Sequence, residues 1–367
     1  MSMTRHRASA SRAVILLALA GTLAAAEGDA PAPTADDPSV QSAELEPLAS
    51  QALMTDVAQA ASRAIAVGER GTILISESRR EWRQVENVPT RSNLTAVTAV
   101  ADQAWAVGHD GVILHSADGG SSWTRQRVAP YTPDSNDPHN GVPLLDVLFL
   151  DEQRGFALGA YALLLGTQDG GAHWEPIALA AGGNEAAAAK PAGASDDWTF
   201  SQEDLKVEEE SDPHLNAIAR TGDGSLLIVA ERGAGFRSTD KGATWQKIKL
   251  PYAGSMFGVL GYEERHVLAF GLRGHALESF DLGSTWRALD TKVDLSLMGG
   301  AVLPQGGAVL VGANGVVLRR ASGSAPFERT TYETRDKESP VLSTVVALDG
   351  GTFLVAGEKG VDLLPLP

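Results

Sequence analysis

The sequence predicts an all-β chain, a seven-bladed β-propeller built from four-stranded antiparallel blades. Three observations lead there. A turn motif of the form Ser/Thr-x-Asp-x-Gly-x-x-Trp recurs along the chain. The aromatic residue that closes each copy returns at a near-constant interval. A second turn signature, ending in Gly, stands before each copy.

The clearest copies of the first motif are Ser116–Trp123, Thr167–Trp174, Ser238–Trp245 and Ser279–Trp286. Two degenerate copies end at Trp82 and Phe327. The gaps between successive closing aromatics are 41, 51, 71, 41 and 41 residues, and the two long gaps carry visible insertions. The second signature reads Ala66-Val-Gly-Glu-Arg-Gly71, Ala106-Val-Gly-His-Asp-Gly111, Val229-Ala-Glu-Arg-Gly233, Phe270-Gly-Leu-Arg-Gly274, Val311-Gly-Ala-Asn-Gly315 and Val355-Ala-Gly-Glu-Lys-Gly360, with a weaker version at Gly159-Ala-Tyr-Ala162. That makes seven units.

Each unit reads as short apolar strands between turn signals. In the second unit, residues 94–100 form strand one, 104–107 strand two, 112–115 strand three and 123–127 strand four. The last unit stops after Val361-Asp-Leu-Leu364, one strand short, which leaves an open edge. The region of Ser42–Leu48 is therefore expected to supply the missing outer strand, so that an N-terminal strand closes the ring.

The recurring motif has a mechanical reading. Asp118 accepts hydrogen bonds from backbone N–H groups across its turn, with Ser116 tying the ends. Gly120 allows a backbone conformation that a side chain opposes. Trp123 fills the gap between blades. Asp169, Gly171 and Trp174, then Asp240, Gly242 and Trp245, then Asp281, Gly283 and Trp286 take the same roles.

These residues resemble the Asp-box, or BNR, repeat. The full pattern of Val-Gly-x-x-Gly, apolar strand and Ser/Thr-x-Asp-x-Gly-x-Thr-Trp is similar to the family of photosystem II stability and assembly factors and their bacterial relatives. The resemblance covers about residues 45–367. It implies a seven-bladed propeller that acts as an assembly factor or chaperone for membrane proteins, without enzymatic activity; no cofactor is expected.

The N-terminus carries Arg5, Arg7 and Arg12 before the apolar run Ala13–Ala26, which ends in Ala24-x-Ala26. A basic flank, a short apolar stretch and a small-residue cleavage site describe a signal peptide over residues 1–26. The run is too short for a membrane span, so the expected address is secreted, in a bacterial periplasm. Residues 27–44, rich in Pro, Ala and acids, read as a flexible tether, and the propeller occupies residues 45–367.

The chain has no cysteine, which excludes disulfides and thiolate metal sites. Its net charge of −16 argues against nucleic acid or an anionic membrane as a partner. The 39 glycines fit a turn-rich β chain.

Two insertions break the period: residues 129–141, and about 177–214, where Ala-rich sequence precedes Trp198, Phe200 and an acidic run from Glu203 to Asp212. Trp198 and Phe200 are candidate contacts for a partner. The strand two–three turns carry Arg70, Arg232, Arg273 and Lys359, with His109, Tyr161 and Asn314 in the other blades. Such a ring forms a candidate electropositive docking face on an acidic protein. The expected partner is a membrane protein or envelope complex, met through its exported loops. Asp137-Pro-His139 and Asp212-Pro-His214 read as turn initiators in preference to a metal site with Asp134, so no metal is assigned. The sequence has no Arg-Ile-Pro and no marked Tyr–Glu arrangement, which leaves a sialidase-like or glycan-binding propeller as the alternative.

Overall fold

The computed structural model describes residues 33–133, 135, 137, 139–179, 212–348 and 351–365. The expected signal peptide, Asp134, Trp198, Phe200 and the acidic residues 203–210 lie outside the described residues.

Among the described residues seven antiparallel sheets follow one another along the chain, and no sheet borrows a strand from another. The all-β propeller that the repeat predicts is the fold of the chain. Blade two shows the plan, with strands Leu94–Val100, Gln103–Gly108, Ile113–Ser116 and Thr124–Arg127 laid in order from the ring's centre outward. The second strands are continuous apolar runs such as Ala64–Gly68 and Leu226–Ala230, and every residue in these two is buried. A strand covered on both faces has no solvent side to mark with polar residues.

The core lies between the blades. Seven apolar clusters correspond to the seven blade interfaces. The first joins Ile65, Val67 and Ile75 of blade one to Val97, Leu114 and Trp123 of blade two. The ring closes where Met54, Val57 and Leu74 of blade one meet Leu354 and Ala356 of blade seven.

That closure differs from the expected one. Blade seven has three strands, Leu342–Ala347, Thr352–Gly357 and Gly360–Pro365, and among the described residues no N-terminal strand joins it. The backbone of the N-terminal segment is engaged elsewhere, and it forms a strap over blades one and two. Ala43 donates to Val88 O (2.8 Å), and Arg91 N donates to Pro38 O (2.8 Å). Gln84 of blade one bonds both Glu44 O and Glu46 N (2.8 Å each). Pro47 then has no N–H to offer a neighbouring strand, and the chain turns through Ala49–Gln51. The strap includes Ser39, which is fully buried, so ordered packing begins well before residue 45.

Each innermost strand carries a register shift near its start, as between Met54 and Asp56 or Leu94 and Ala96. Such a bulge adds local twist and frees one residue from the ladder. The freed residues stitch neighbouring blades. Thr55 Oγ1 donates to Leu94 O (2.8 Å), Thr95 Oγ1 to Leu144 O (2.8 Å) and Asn216 Nδ2 to Met256 O (2.9 Å).

Candidate functional site

The recurring motif forms the strand three–four turn of blades two to five, with one bonding scheme. Ser116 Oγ donates to Asp118 Oδ1 (2.8 Å) and accepts from Gly120 N (2.8 Å). Asp118 accepts from Ser122 N (2.9 Å) and Ser122 Oγ (2.7 Å). Thr167, Asp169, Gly171 and His173 repeat it, as do Ser238–Thr244 and Ser279–Thr285. Thr244 holds the Asp240 carboxyl down at about 2. Burial pushes Asp118 up, but the bonds from Ser122 and Ser116 outweigh it and leave it below the usual carboxylate range.

The motif glycine packs on the preceding blade. Gly120 has φ +85°, and a Cβ there would lie 2.8 Å from Ile65 Cδ1. Gly242 (φ +87°) sits against the Phe156 ring, Gly171 against Gln126 and Gly283 against Ile248. Trp123 and Trp245 are buried beside their glycines, and Trp123 Nε1 donates to Gly120 O (3.0 Å). Trp174 and Trp286 are partly buried in the next interfaces of this kind. These motifs are joints between blades; the Ser or Thr hydroxyl and the Asp carboxylate of each are engaged within its own turn, while Trp245 Nε1 and Trp286 Nε1 are buried without a hydrogen-bond partner.

In blade six the motif begins with Arg320 where the others have Ser or Thr. Arg320 is buried and reaches back to Glu278 of blade five (2.8 Å), which also meets His266 (2.9 Å) and Arg287. Burial pushes Glu278 up, but His266, Arg320 and Arg287 together hold it at about 2. A buried ion cluster here replaces the missing hydrogen-bonded turn.

The strand two–three turns lie on the opposite face, beside the connections from strand four to the next blade. Ala129 N donates to Asp110 O (2.7 Å) and Tyr332 N to Gly315 O (2.7 Å). Arg70, Tyr161, Arg232, Arg273 and Asn314 each occupy the left-handed region, with φ between +53° and +54°. All five, together with Lys359, are exposed. Such backbone is strained for residues other than Gly, Asn and Asp.

The ring differs from the expected one in blade two. His109 is one residue early, and Asp110 (φ +57°) holds the position equivalent to Arg70. The carboxylate of Asp110 accepts from Ser92 Oγ (2.6 Å). Counting back from the closing glycine, Gly71 or Gly111, gives the right register. Before three of the four cations stands an acidic residue, Glu69, Glu231 or Glu358, that turns towards backbone, and before Arg273 stands Leu272. Glu231 accepts from His214 N (3.3 Å) and Glu358 from Val341 N (2.9 Å). Lys359 pairs with Glu338 (2.6 Å). Arg70, Arg232, Arg273 and Lys359 are the exposed cations of this face.

The second insertion returns to this face. Ala162 N donates to Pro213 O (2.9 Å), and the Tyr161 ring stands edge-on to His214 at 5.0 Å. His139 lies 3.9 Å from Asp137 and His214 3.5 Å from Glu231. Among the described residues no group of three or more His, Asp or Glu has metal-binding geometry.

Two carboxylates that the sequence reading passed over stand on the inner strands of blades one and three. Asp56 accepts from Val97 N (2.9 Å) and Asp146 from Ile218 N (2.8 Å), each across a blade boundary. Burial pushes Asp56 up to about 6. Burial, with the Asp56 charge added, pushes Asp146 up to about 7.

No family model matches the chain. The chain is 26% identical over 159 residues to the photosystem II assembly protein Ycf48 of Thermosynechococcus vestitus, a match that spans 39% of this chain and 45% of that protein. Its fold is similar to that of YCF48 bound to a D1 peptide (TM-score 0.60, 15% identity, 89% of this chain and 98% of the other). It is also similar to YCF48 from Cyanidioschyzon merolae (TM-score 0.60, 16% identity, 86% and 96%). The resemblance to photosystem II assembly factors read from the repeat is matched in sequence over part of the chain and in fold over most of it.

Proposed function

We propose that the protein is a non-enzymatic binding factor that docks onto exported segments of a membrane protein or envelope complex and assists its assembly. The carrying observation is the ring of exposed residues held in left-handed turns on one face, with Arg232 and Arg273 on adjacent blades. A purely structural turn favours Gly or Asn there, and a charged side chain held in strained backbone suits recognition. Arginine on such a face suits an acidic segment, because its fork pairs carboxylates bidentately. The likeness to a protein solved with a bound D1 peptide supports the same use of the fold. A periplasmic address follows from the signal-like N-terminus and completes the reading, since exported loops of a membrane protein are presented there.

A glycan-binding or glycan-cleaving propeller needs aromatics at a cleft. Trp105, Trp123 and Trp245 are instead buried between blades, which favours the binding factor. The test is recovery from solubilised envelope with the protein as bait, beside a variant carrying Arg70→Glu, Arg232→Glu, Arg273→Glu and Lys359→Glu. The proposal requires one membrane complex with the native chain and its loss with the variant. Equal recovery by both rejects the cationic face.

A further inference from the structure

We infer that the mouth of the central channel, on the docking face, takes up one large apolar side chain from the partner's acidic segment, seated against Phe257 and Met298. This anchor rests on the docking reading proposed above and lies at the centre of the same face. Hydrogen bonds at the start of each innermost strand place the mouth. His109 N donates to Asn93 O (2.9 Å), Leu272 N to Ser255 O (3.0 Å) and Ala313 N to Ser296 O (2.9 Å), and the other four blades repeat the bond. Each strand two–three turn is thereby tied to the residue just before the inner strand of its own blade. Two residues further on, at the bulge of the inner strand, stand Thr95, Phe257 and Met298. These positions line the channel just inside the ring of turns.

The bulge position has two kinds of occupant. Thr55, Thr95 and Asn216 use it to bond the inner strand of the next blade. Phe257 and Met298 have no donor for such a bond, and blades five and six are joined by their apolar cluster instead. Met298 is 40% exposed and Phe257 is half-buried. The inner strands Met256–Gly261 and Leu297–Leu303 are neighbours, so the two side chains make one apolar wall below the turns of Arg273 and Asn314. Across the channel the same position carries Thr55 and Thr95, whose hydroxyls are already bonded. A ring beside a flexible thioether forms a surface that adapts to another apolar side chain.

Charge fixes the flanks of the occupant. Arg70, Arg232, Arg273 and Lys359 are exposed on turns around the mouth. The acids of the same turns point inward, Glu69 to Leu53 N, Glu231 to His214 N, Glu358 to Val341 N and Asp110 to Ser92 Oγ. Beside the apolar wall, the connection from blade five to blade six adds Asp290, Lys292 and Asp294, all exposed. Asp290 caps Lys292 N (3.0 Å). Among the described residues Arg273 and Lys292 therefore face one uncapped carboxylate, that of Asp294. A segment whose own acids meet Arg273 and Lys292 lays the side chain between them over Phe257 and Met298.

The test follows the Met298 methyl group by NMR in the full chain labelled at its methionine methyls. Met54 and Met256 are fully buried, and loss of the signal in Met298→Gln assigns it. Two blocked peptides are compared, Asp-Asp-Phe-Asp-Asp and Asp-Asp-Ser-Asp-Asp. The Phe peptide is expected to bind about ten-fold tighter than the Ser peptide, the effect of one buried apolar contact, and to shift the Met298 methyl by its ring. Met298→Gln, at an exposed position, is expected to bring the Phe peptide down to the affinity of the Ser peptide and to leave the Ser peptide unchanged; damage to the fold would weaken both. Arg273→Glu weakens both peptides and reports on the docking face itself. Equal affinity of the two peptides for the native chain, or Phe-peptide binding that leaves the methyl unmoved, overturns the anchor. The docking reading survives that result when Arg273→Glu still weakens both peptides. No binding of either peptide overturns both readings. A Met298 methyl that shifts without peptide, on deletion of residues 180–211 or on dilution, gives the mouth to the chain's own insertion or to a second copy and also overturns the anchor.

Discussion

Replacing Asp56 and Asp146 together by Asn is expected to make the protein more stable at pH 8 and to remove most of its stability loss between pH 5 and pH 8. Both carboxyls titrate from 3.8 in the open chain to about 6 and about 7 in the fold. The folded state therefore holds protons that the unfolded state has released, and stability falls as pH rises towards the folded values. From pH 5 upward, Asp56 contributes this slope over roughly one pH unit and Asp146 over roughly two. At 1.36 kcal/mol per unit the combined loss is about 4 kcal/mol. Asn keeps an oxygen for Val97 N–H or Ile218 N–H and carries no charge. Asp146 also accepts from Val147 N (2.8 Å) and Asp56 from Val57 N, so both amide NH₂ groups face a donor and together return about 2 kcal/mol of the gain. Urea titrations at pH 5, 6, 7 and 8 measure the slope directly. Native and double-variant curves that run parallel across that range refute the reasoning.

Gly242→Ala is expected to cost about 2–4 kcal/mol, because it forces a side chain into φ +87° and against Phe156; thermal unfolding checks it. Glu278→Gln leaves Arg320 buried beside a neutral partner and costs about 3–5 kcal/mol. The pair Glu278→Leu with Arg320→Leu is expected to lose less than Glu278→Gln alone, since no charge stays buried. Arg273→Asn relaxes the left-handed turn and raises stability by up to about 1 kcal/mol while weakening recovery of the membrane complex. A fall in both stability and recovery would make Arg273 a structural residue.

The blades are legible in the sequence because the motif solves one local problem four times. Asp118, Gly120 and Trp123 are each fixed by short-range bonds and by contact with the blade before, so their spacing survives. The closure is not legible. The last repeat reads as three strands and not four, and nothing in Ser42–Leu48 shows that Val88 and Gln84 already hold its backbone. The ring of strand two–three turn residues is misread by one position in blade two, since Gly108 and Gly111 both offer a count. Asp56 and Asp146 pass unnoticed because a polar residue on an inner strand looks the same whether it faces open solvent or bridges two blades. Arg320 looks like the decay of a motif, and only its reach to Glu278 shows that an ion cluster stands in for a turn.

The central claim is that the face carrying Arg273 meets an exported segment of a membrane protein. Site-specific photo-crosslinking in intact cells tests it most directly, with the crosslinker at position 273 on that face and at position 239 on the face of the recurring motifs. The account predicts a crosslinked membrane protein from position 273, mapped to a segment outside the membrane, and none from position 239. The same product from position 239, or products from neither, would contradict it.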